Sequence, residues 1–152
     1  MKLVIRNNRK TIALAAALIV SSGLGALSIQ EATAAEPQLE KAIQSGKALF
    51  DHETFGGNGK TCQSCHMDGG AAPGKLPNGT TIPSLSNAAA IFPRFNPKAN
   101  KVITLEDQLR HCIAGGLQWK PPAYGSEQLT QLVSYVSSLA QGKPLDMGGK
   151  PQ

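Results

Sequence analysis

Two cysteines and a histidine stand together in the segment Cys62-Gln63-Ser64-Cys65-His66. Two thiols at this spacing can both add to the vinyl groups of one haem, and the adjacent imidazole can ligate its iron. One short turn is enough to present both sulfur atoms to the same edge of the macrocycle. The pattern therefore predicts one haem c, covalently attached through Cys62 and Cys65, with His66 as an axial ligand to the metal.

Other sites built from these residue types fit the sequence less well. A redox dithiol is typical of a βαβ context, which this chain does not show. A structural zinc site needs further cysteine or histidine ligands at short spacing, and only His52, His111 and Cys112 remain. A disulfide between such close cysteines is strained and makes no use of the histidine.

The elements that must position this motif are helices. Residues 38–50 and 126–140 repeat apolar side chains at helical spacing and predict the first and last helices. Thr104 has the residue type of an N-cap and opens a helix that we expect to run to about Ile113 and to stop at Gly115 and Gly116.

One face of the Thr104 helix is the part that can meet a cofactor. At helical spacing, Leu105, Leu109 and Cys112 share an apolar face, and His111 points away from it. Prolines punctuate the long loop over residues 69–100, where we expect only short helical turns. No alternating β-rich run is present, so the sequence predicts an all-α domain with long Pro/Gly loops around the haem.

The positive charge lies mostly at the N-terminus. The chain has 152 residues with 15 Lys+Arg and 10 Asp+Glu, and four of the basic residues lie within the first ten. An uncharged apolar stretch over residues 11–29 and small residues before position 36 complete the pattern of a secretory signal. We expect cleavage of residues 1–35, with an uncleaved membrane anchor as the alternative.

The remaining domain, residues 36–152, gives no support for nucleic-acid binding. It carries 11 Lys+Arg against 9 Asp+Glu, a net charge of +2, with no basic run. We therefore expect no nucleic-acid partner, no membrane contact after cleavage, and a periplasmic location, since bacteria attach haem c outside the cytoplasm. The sequence does not indicate an oligomeric state.

These motifs resemble the class I c-type cytochromes over nearly the whole of residues 36–152. The matching parts are SGKALF in the first helix, CQSCH, a long loop, and LTQLVSYVSSLAQG in the last helix. The resemblance implies a small class I cytochrome c fold in which the N- and C-terminal helices cross, with Gly46 touching Tyr135. Glycine at such a crossing lets the two backbones approach closely.

A narrower resemblance concerns the segment LEDQLRHCIAGGLQWKPP. It is similar to the haem domains of thiosulfate dehydrogenases and of sulfur-oxidation (Sox) cytochrome subunits, in which the cysteine of an L-E-x-x-x-x-x-C segment ligates iron. This resemblance implies that Cys112 is the second axial ligand. Two features depart from it: thiosulfate dehydrogenases carry two haem motifs, and Gln108 stands where many members have an arginine that helps to hold an anionic sulfur substrate.

Alternatives for the second axial position remain open. An ordinary electron-carrying member uses a methionine before the last helix, and residues 115–126 contain none. Cys112 can instead be a buried thiol or form a disulfide between two copies of the chain. The ligand would then be Met147, His111 or Lys120, or the site would be open.

Several further side chains receive simple roles. We interpret His52 as a surface histidine and Trp119 as an aromatic ring packed on the haem. Arg94, Lys98 and Lys101 form a docking or propionate-binding patch, or else a solvated face.

Two functions are compatible with these features. The first is a periplasmic monohaem cytochrome that carries single electrons between other periplasmic redox proteins. The alternative is a haem subunit or enzyme of thiosulfate or sulfur-compound oxidation, which needs a cationic pocket beside Cys112, with Arg110 and Lys120 as the nearest cations. One haem motif and Gln108 favour the carrier over a catalyst. A sensor or gas-binding cytochrome follows only if the distal site is open.

Overall fold

The structure, a computed structural model, describes residues 26–152, with side chains from residue 36 onward. The chain divides into units of residues 1–34 and 35–152, and the description below concerns the second unit. The export signal predicted over residues 1–35 falls outside the described side chains and stays a prediction. Within the described part of the chain, no helix is long and apolar enough to cross a bilayer.

Four α-helices and two 3-10 turns make up the described helical structure. The helices are α1 Ala26–His52, α2 Ala88–Ile91, α3 Leu105–Gly116 and α4 Glu127–Ser138, and the turns are Cys62–Ser64 and Asp68–Gly70. The helices predicted over 38–50 and 126–140 are present. Helix α3 runs past Ile113 and ends at Gly116, within the predicted glycine pair, and the Leu117 N–H donates to the Cys112 carbonyl at this end.

Two small antiparallel sheets add to the helices. Strand β1 Gly74–Lys75 pairs with β2 Thr81–Ile82, and β3 Arg94–Asn96 pairs with β4 Lys101–Ile103. The prediction of an all-α fold is therefore incomplete. Strands of two or three residues are too short to show an alternating pattern. The turn between β3 and β4 holds its strands through the Asn96 side chain, which accepts from the N–H groups of Lys98 and Ala99.

Helices α1 and α4 meet at Gly46. A Cβ atom at this position would lie 1.9 Å from the carbonyl oxygen of Gln131 and 2.8 Å from the Cβ of Tyr135, so only glycine fits. One turn further along α1, Phe50 packs edge-on against Tyr135 with ring centroids 5.3 Å apart. The predicted contact between Gly46 and Tyr135 is confirmed.

The buried core lies where α1, α3 and α4 come together. It is formed by large apolar side chains that are almost completely shielded from water: Phe50, Ile113, Leu132, Tyr135 and Val136. A smaller cluster of Ile91, Phe92 and Ile103 joins α2 to the β3–β4 hairpin. The loops between these elements are thereby tied to the helices.

The last residues of the described chain run back along α2. Asp146 N–H donates to the Ala90 carbonyl, and the Asn87 side-chain amide donates to the Lys150 carbonyl at 2.9 Å. Ser84 N–H donates to the carbonyl of the final residue at 2.7 Å. We call residues 146–152 the C-terminal strap, since they are hydrogen-bonded to the fold along their length.

Replacing Gly46 by alanine should lower the free energy of unfolding by about 1–3 kcal/mol, the usual cost of overpacking. The added methyl group would meet the Gln131 carbonyl oxygen. Denaturant unfolding of the haem-loaded protein measures the change. Gln44→Ala, on the exposed side of the same helix, is the control and should change stability by less than about 0.5 kcal/mol. A Gly46→Ala variant as stable as the wild type would contradict the close helix crossing.

Candidate functional site

A cavity of about 840 Å³ opens between α3, α4, the β3–β4 hairpin and the loop that follows Thr61. Its volume lies within the range of cofactor sites, about 300–1,000 Å³. Its wall is largely apolar and includes Leu85, Ile91, Leu105, Leu109, Ile113 and Val136. All four predicted site residues lie on this wall: Cys62, Cys65, His66 and Cys112.

The motif itself is shaped by one tight turn. The N–H groups of Cys65 and His66 both donate to the Cys62 carbonyl, at 3.1 and 3.0 Å. This turn brings both thiols and the imidazole to the same cavity. Strand β1 passes directly against it, since a Cβ atom on Gly74 would lie 1.9 Å from the Cys65 carbonyl oxygen.

The His66 ring is oriented by a contact that sequence reasoning missed. Its Nδ1 lies 3.3 Å from the carbonyl oxygen of Pro83 and donates to it, which leaves the Nε2 lone pair free for a metal. Burial lowers the pKa of His66, so the ring is held in the neutral form that a ligand requires. No side-chain pattern reveals Pro83, because the acceptor is a backbone carbonyl.

The thiols of α3 and of the motif lie near one another. Burial raises the pKa of Cys62 to about 12, and the negative charge of an ionised Cys112 adds to the rise. Cys112 is exposed on the open cavity, and desolvation by the surrounding wall raises the pKa of its thiol, whereas a hydrogen bond from the Gln108 side chain opposes that rise. The Gln108 amide nitrogen lies 3.3 Å from the Cys112 sulfur.

The structure separates the alternatives proposed for the second axial position. His111 is exposed and is among the residues that line the cavity together with Cys112. Met147 is 62% exposed and does not line the cavity, and neither does Lys120.

Two side chains predicted near the haem lie elsewhere. Trp119 does not line the cavity; its ring covers the loop at Gly56, where a Cβ atom would lie 3.2 Å from it. Arg110 stacks on Tyr124, 4.1 Å from the ring centroid, and donates to the Pro122 carbonyl. The cations on the cavity wall are instead Arg94 and Lys98. His52 is exposed, as predicted.

The start of α3 is fixed by reciprocal hydrogen bonds. Asp107 N–H donates to the Thr104 hydroxyl at 3.2 Å, and Thr104 N–H donates to the Asp107 carboxylate at 2.9 Å. The Tyr124 hydroxyl donates to the second oxygen of Asp107 at 2.5 Å. The predicted N-cap at Thr104 is confirmed, and the cap anchors the helix that carries Cys112.

A protein-family comparison fits this arrangement. The model of the SoxA/TsdA cytochrome c domain matches residues 45–145. The chain belongs to this family. It is therefore a c-type cytochrome domain, and haem c is attached covalently through the cysteines of the motif, Cys62 and Cys65. The largely apolar wall, with thiols and an imidazole on it, fits such a group.

Curated relatives carry the same domain within longer proteins. One is the L-cysteine S-thiosulfotransferase subunit SoxA of Chlorobaculum tepidum, 30% identical over 73% of this chain and 32% of the relative. Another is a thiosulfate dehydrogenase of Thiomonas intermedia, 34% identical over 59% of this chain and 26% of the relative. The chain thus spans about a third or less of the length of these relatives.

Solved structures show the same fold. A thiosulfate dehydrogenase (TsdBA) from Marichromatium purpuratum superposes with a TM-score of 0.57 at 24% identity, over 72% of this chain and 24% of that chain. SoxXA from P. pantotrophus also gives a TM-score of 0.57, at 19% identity, over 71% of this chain and 36% of that chain. The cytochrome c fold predicted from the sequence is confirmed, with the two small sheets added.

The cap of α3 predicts a pH-dependent stability. Hydrogen bonds from Thr104 and Tyr124 lower the pKa of Asp107, so the folded state favours its charged form. The charged Asp107 therefore contributes to the free energy of unfolding. This contribution is complete above the ordinary carboxyl pKa of about 3.9 and is lost as the pH falls through the lowered pKa. Asp107→Asn should therefore be less stable than the wild type at about pH 7, and the difference should shrink towards about pH 3.

Thermal unfolding of the haem-loaded proteins at several pH values measures this difference. The control is Glu106→Gln, which removes a neighbouring charge in the first turn of α3 and leaves the Thr104–Asp107 bonds in place. A difference between Asp107→Asn and the wild type that is the same at all pH values would contradict the role of the charged cap.

Proposed function

We propose that this protein is a periplasmic monohaem c-type cytochrome that carries single electrons between other redox proteins during the oxidation of inorganic sulfur compounds. The observation that carries the proposal is the shared wall: the CQSCH turn and Cys112 of α3 line one apolar cavity. The haem supplies a reversible one-electron couple when bound. The residues of the chain hold it, exclude water and supply the axial ligands.

We assign His66 and Cys112 as the two axial ligands. The Pro83 carbonyl orients the His66 ring and leaves its Nε2 free. Cys112 comes from a different element, lines the same cavity, and receives a hydrogen bond from Gln108 that stabilises its thiolate form. A thiolate ligand would hold the reduction potential lower than a thioether would. His111, on the same wall, is the alternative ligand.

The side chains around Cys112 favour a carrier over a catalyst. An enzyme acting on an anionic sulfur compound needs a cation beside the reacting sulfur. Arg110 is held against Tyr124 and the Pro122 carbonyl, and Lys120 lies off the cavity wall. The cations on the wall, Arg94 and Lys98, belong to the β3–β4 hairpin, whereas the residue that contacts the Cys112 sulfur is Gln108, a neutral donor. A carrier needs none of these cations, because only the haem and its ligands take part.

The proposed location and partners depend on the sequence around the domain. Residues 1–35 have the pattern of an export signal, and residues 36–152 would be the mature protein. A periplasmic carrier meets its redox partners transiently, through a small surface near the haem edge.

A second candidate is a haem subunit or enzyme of sulfur-compound oxidation. The relatives named above favour it, since they are a subunit of an L-cysteine S-thiosulfotransferase and a thiosulfate dehydrogenase. The match covers only about a third or less of those proteins, so their reactions remain a proposal for this chain.

Low-temperature EPR of the oxidised, haem-loaded protein tests the ligand assignment. We expect a low-spin signal typical of thiolate ligation, because Cys112 is the assigned ligand on the cavity wall. The signal should be lost in Cys112→Ala and kept in His111→Gln, a matched change of the neighbouring wall residue. A signal unchanged in Cys112→Ala would contradict thiolate ligation, and its loss in His111→Gln alone would assign His111 instead.

Spectroelectrochemistry combined with a substrate assay distinguishes the carrier from the enzyme. We expect a reversible one-electron couple and no thiosulfate-dependent reduction of an added electron acceptor, since the side chain that donates to the Cys112 sulfur is the neutral Gln108. Sulfite and tetrathionate serve as further sulfur compounds in the same assay. Thiosulfate-dependent turnover that is present in the wild type and absent in Cys112→Ala would overturn the carrier assignment in favour of the enzyme.

A further inference from the structure

Strand β3 presents its residues alternately to the cavity and to solvent. Arg94 and Asn96 line the cavity, whereas Phe95 faces outward and is 56% exposed. Its direct partner across the hairpin, Val102, is also exposed. The two-residue period of the strand and the hairpin register therefore place the guanidinium of Arg94 on the cavity wall.

The Arg94 side chain is left without a polar partner. Its Nε atom is buried and has no hydrogen-bond partner among the described residues. The guanidinium stands over the Phe92 ring, 5.2 Å from the centroid, which attracts a cation and leaves the in-plane N–H group without an acceptor. Buried donors nearly always have hydrogen-bond partners, so the Nε–H group of Arg94 calls for an acceptor.

The described chain offers this cation no carboxylate. Residues 69–105 contain neither aspartate nor glutamate. Within the described side chains, the ion pair that forms is Lys47–Asp51, on α1. Two further side chains of the hairpin add to the positive and polar character of the wall, the amine of Lys98 and the amide of Asn96. The cavity wall thus provides donors and positive charge for an anion.

We propose that Arg94, with Lys98 and Asn96 beside it, forms a carboxylate-binding site that holds a propionate of the bound haem. A guanidinium presents parallel N–H donors that match the two oxygens of a carboxylate. A propionate would supply the acceptor that Nε lacks while the rest of the macrocycle remains against apolar side chains. The inference rests on the haem occupying this cavity, as in the proposed function, and it does not depend on which residue is the second axial ligand.

Resonance Raman spectroscopy of the full, haem-loaded chain tests the site, because the propionate-bending band responds to hydrogen bonding of that group. We expect the band to shift in Arg94→Gln and to return part of the way in Arg94→Lys, which keeps the charge without the planar donors. Lys101→Gln is the matched control: it removes one charge from the paired strand, and Lys101 is exposed and off the cavity wall. The propionate-bending band of Lys101→Gln should lie at the wild-type position.

A second experiment distinguishes whether the Arg94 site holds the haem propionate or a free oxyanion. Wild-type protein is measured in sodium thiosulfate and in sodium chloride at equal ionic strength, and we expect identical bands and midpoint potentials. A thiosulfate response in the wild type that disappears in Arg94→Gln would overturn the propionate assignment. An Arg94→Gln band identical to the wild-type band would overturn it as well, while the EPR signal would still report the axial ligands independently.

If Arg94→Gln does not accumulate with bound haem, a milder change of the cavity wall tests the same site. Lys98→Gln removes one charged donor from the wall and leaves the Asn96 hydrogen bonds of the hairpin turn intact. We expect a smaller shift of the same band, in the same direction as in Arg94→Lys. A Lys98→Gln band equal to that of the wild type, together with an unshifted Arg94→Lys band, would reject the site.

Discussion

Hydrophobic contact around one cavity of about 840 Å³ is the constraint on which the rest of the domain depends. Apolar side chains such as Leu109 and Val136 face the cavity as well as one another, so the covalently attached haem completes the hydrophobic core. The same constraint explains a composition with 16 Gly, 10 Pro and 5% aromatic residues, since the loops wrap a cofactor. Fold stability and cofactor binding are therefore two aspects of the same contacts.

Short polar contacts convert this apolar enclosure into a defined coordination site. The Pro83 carbonyl fixes the His66 ring, and the Tyr135 hydroxyl donates to the Gly69 carbonyl at 2.7 Å, just beyond the motif. The helix crossing at Tyr135 is thus connected to the turn that carries the iron-binding histidine proposed above. On the other element, Gln108 contacts the Cys112 sulfur. Each of these contacts joins a proposed iron ligand, or the segment next to it, to a residue of the surrounding fold.

The sequence predicts best what is local. The attachment motif needs only one turn, so Cys62 and Cys65 are evident from their spacing, and the helices are evident from their periodicity. Side chains whose direction depends on distant loops were not predictable. The Trp119 ring packs against the loop at Gly56, and the Arg110 guanidinium stacks on the ring of Tyr124. These partners come close to one another only in the folded chain. The two small sheets were missed for a related reason: their strands are shorter than one period of a usable pattern.

The C-terminal strap has a consequence for the order in which the domain is assembled. Pro151 lies on the cavity wall, whereas the haem-attachment motif ends at residue 66. During synthesis the thiols are therefore complete long before the wall that encloses them. In the finished fold Cys62 and Cys65 are only partly accessible. An attachment machinery outside the cytoplasm that acts on the exported chain before it folds would meet open thiols, and the strap would then pack over a cofactor already in place.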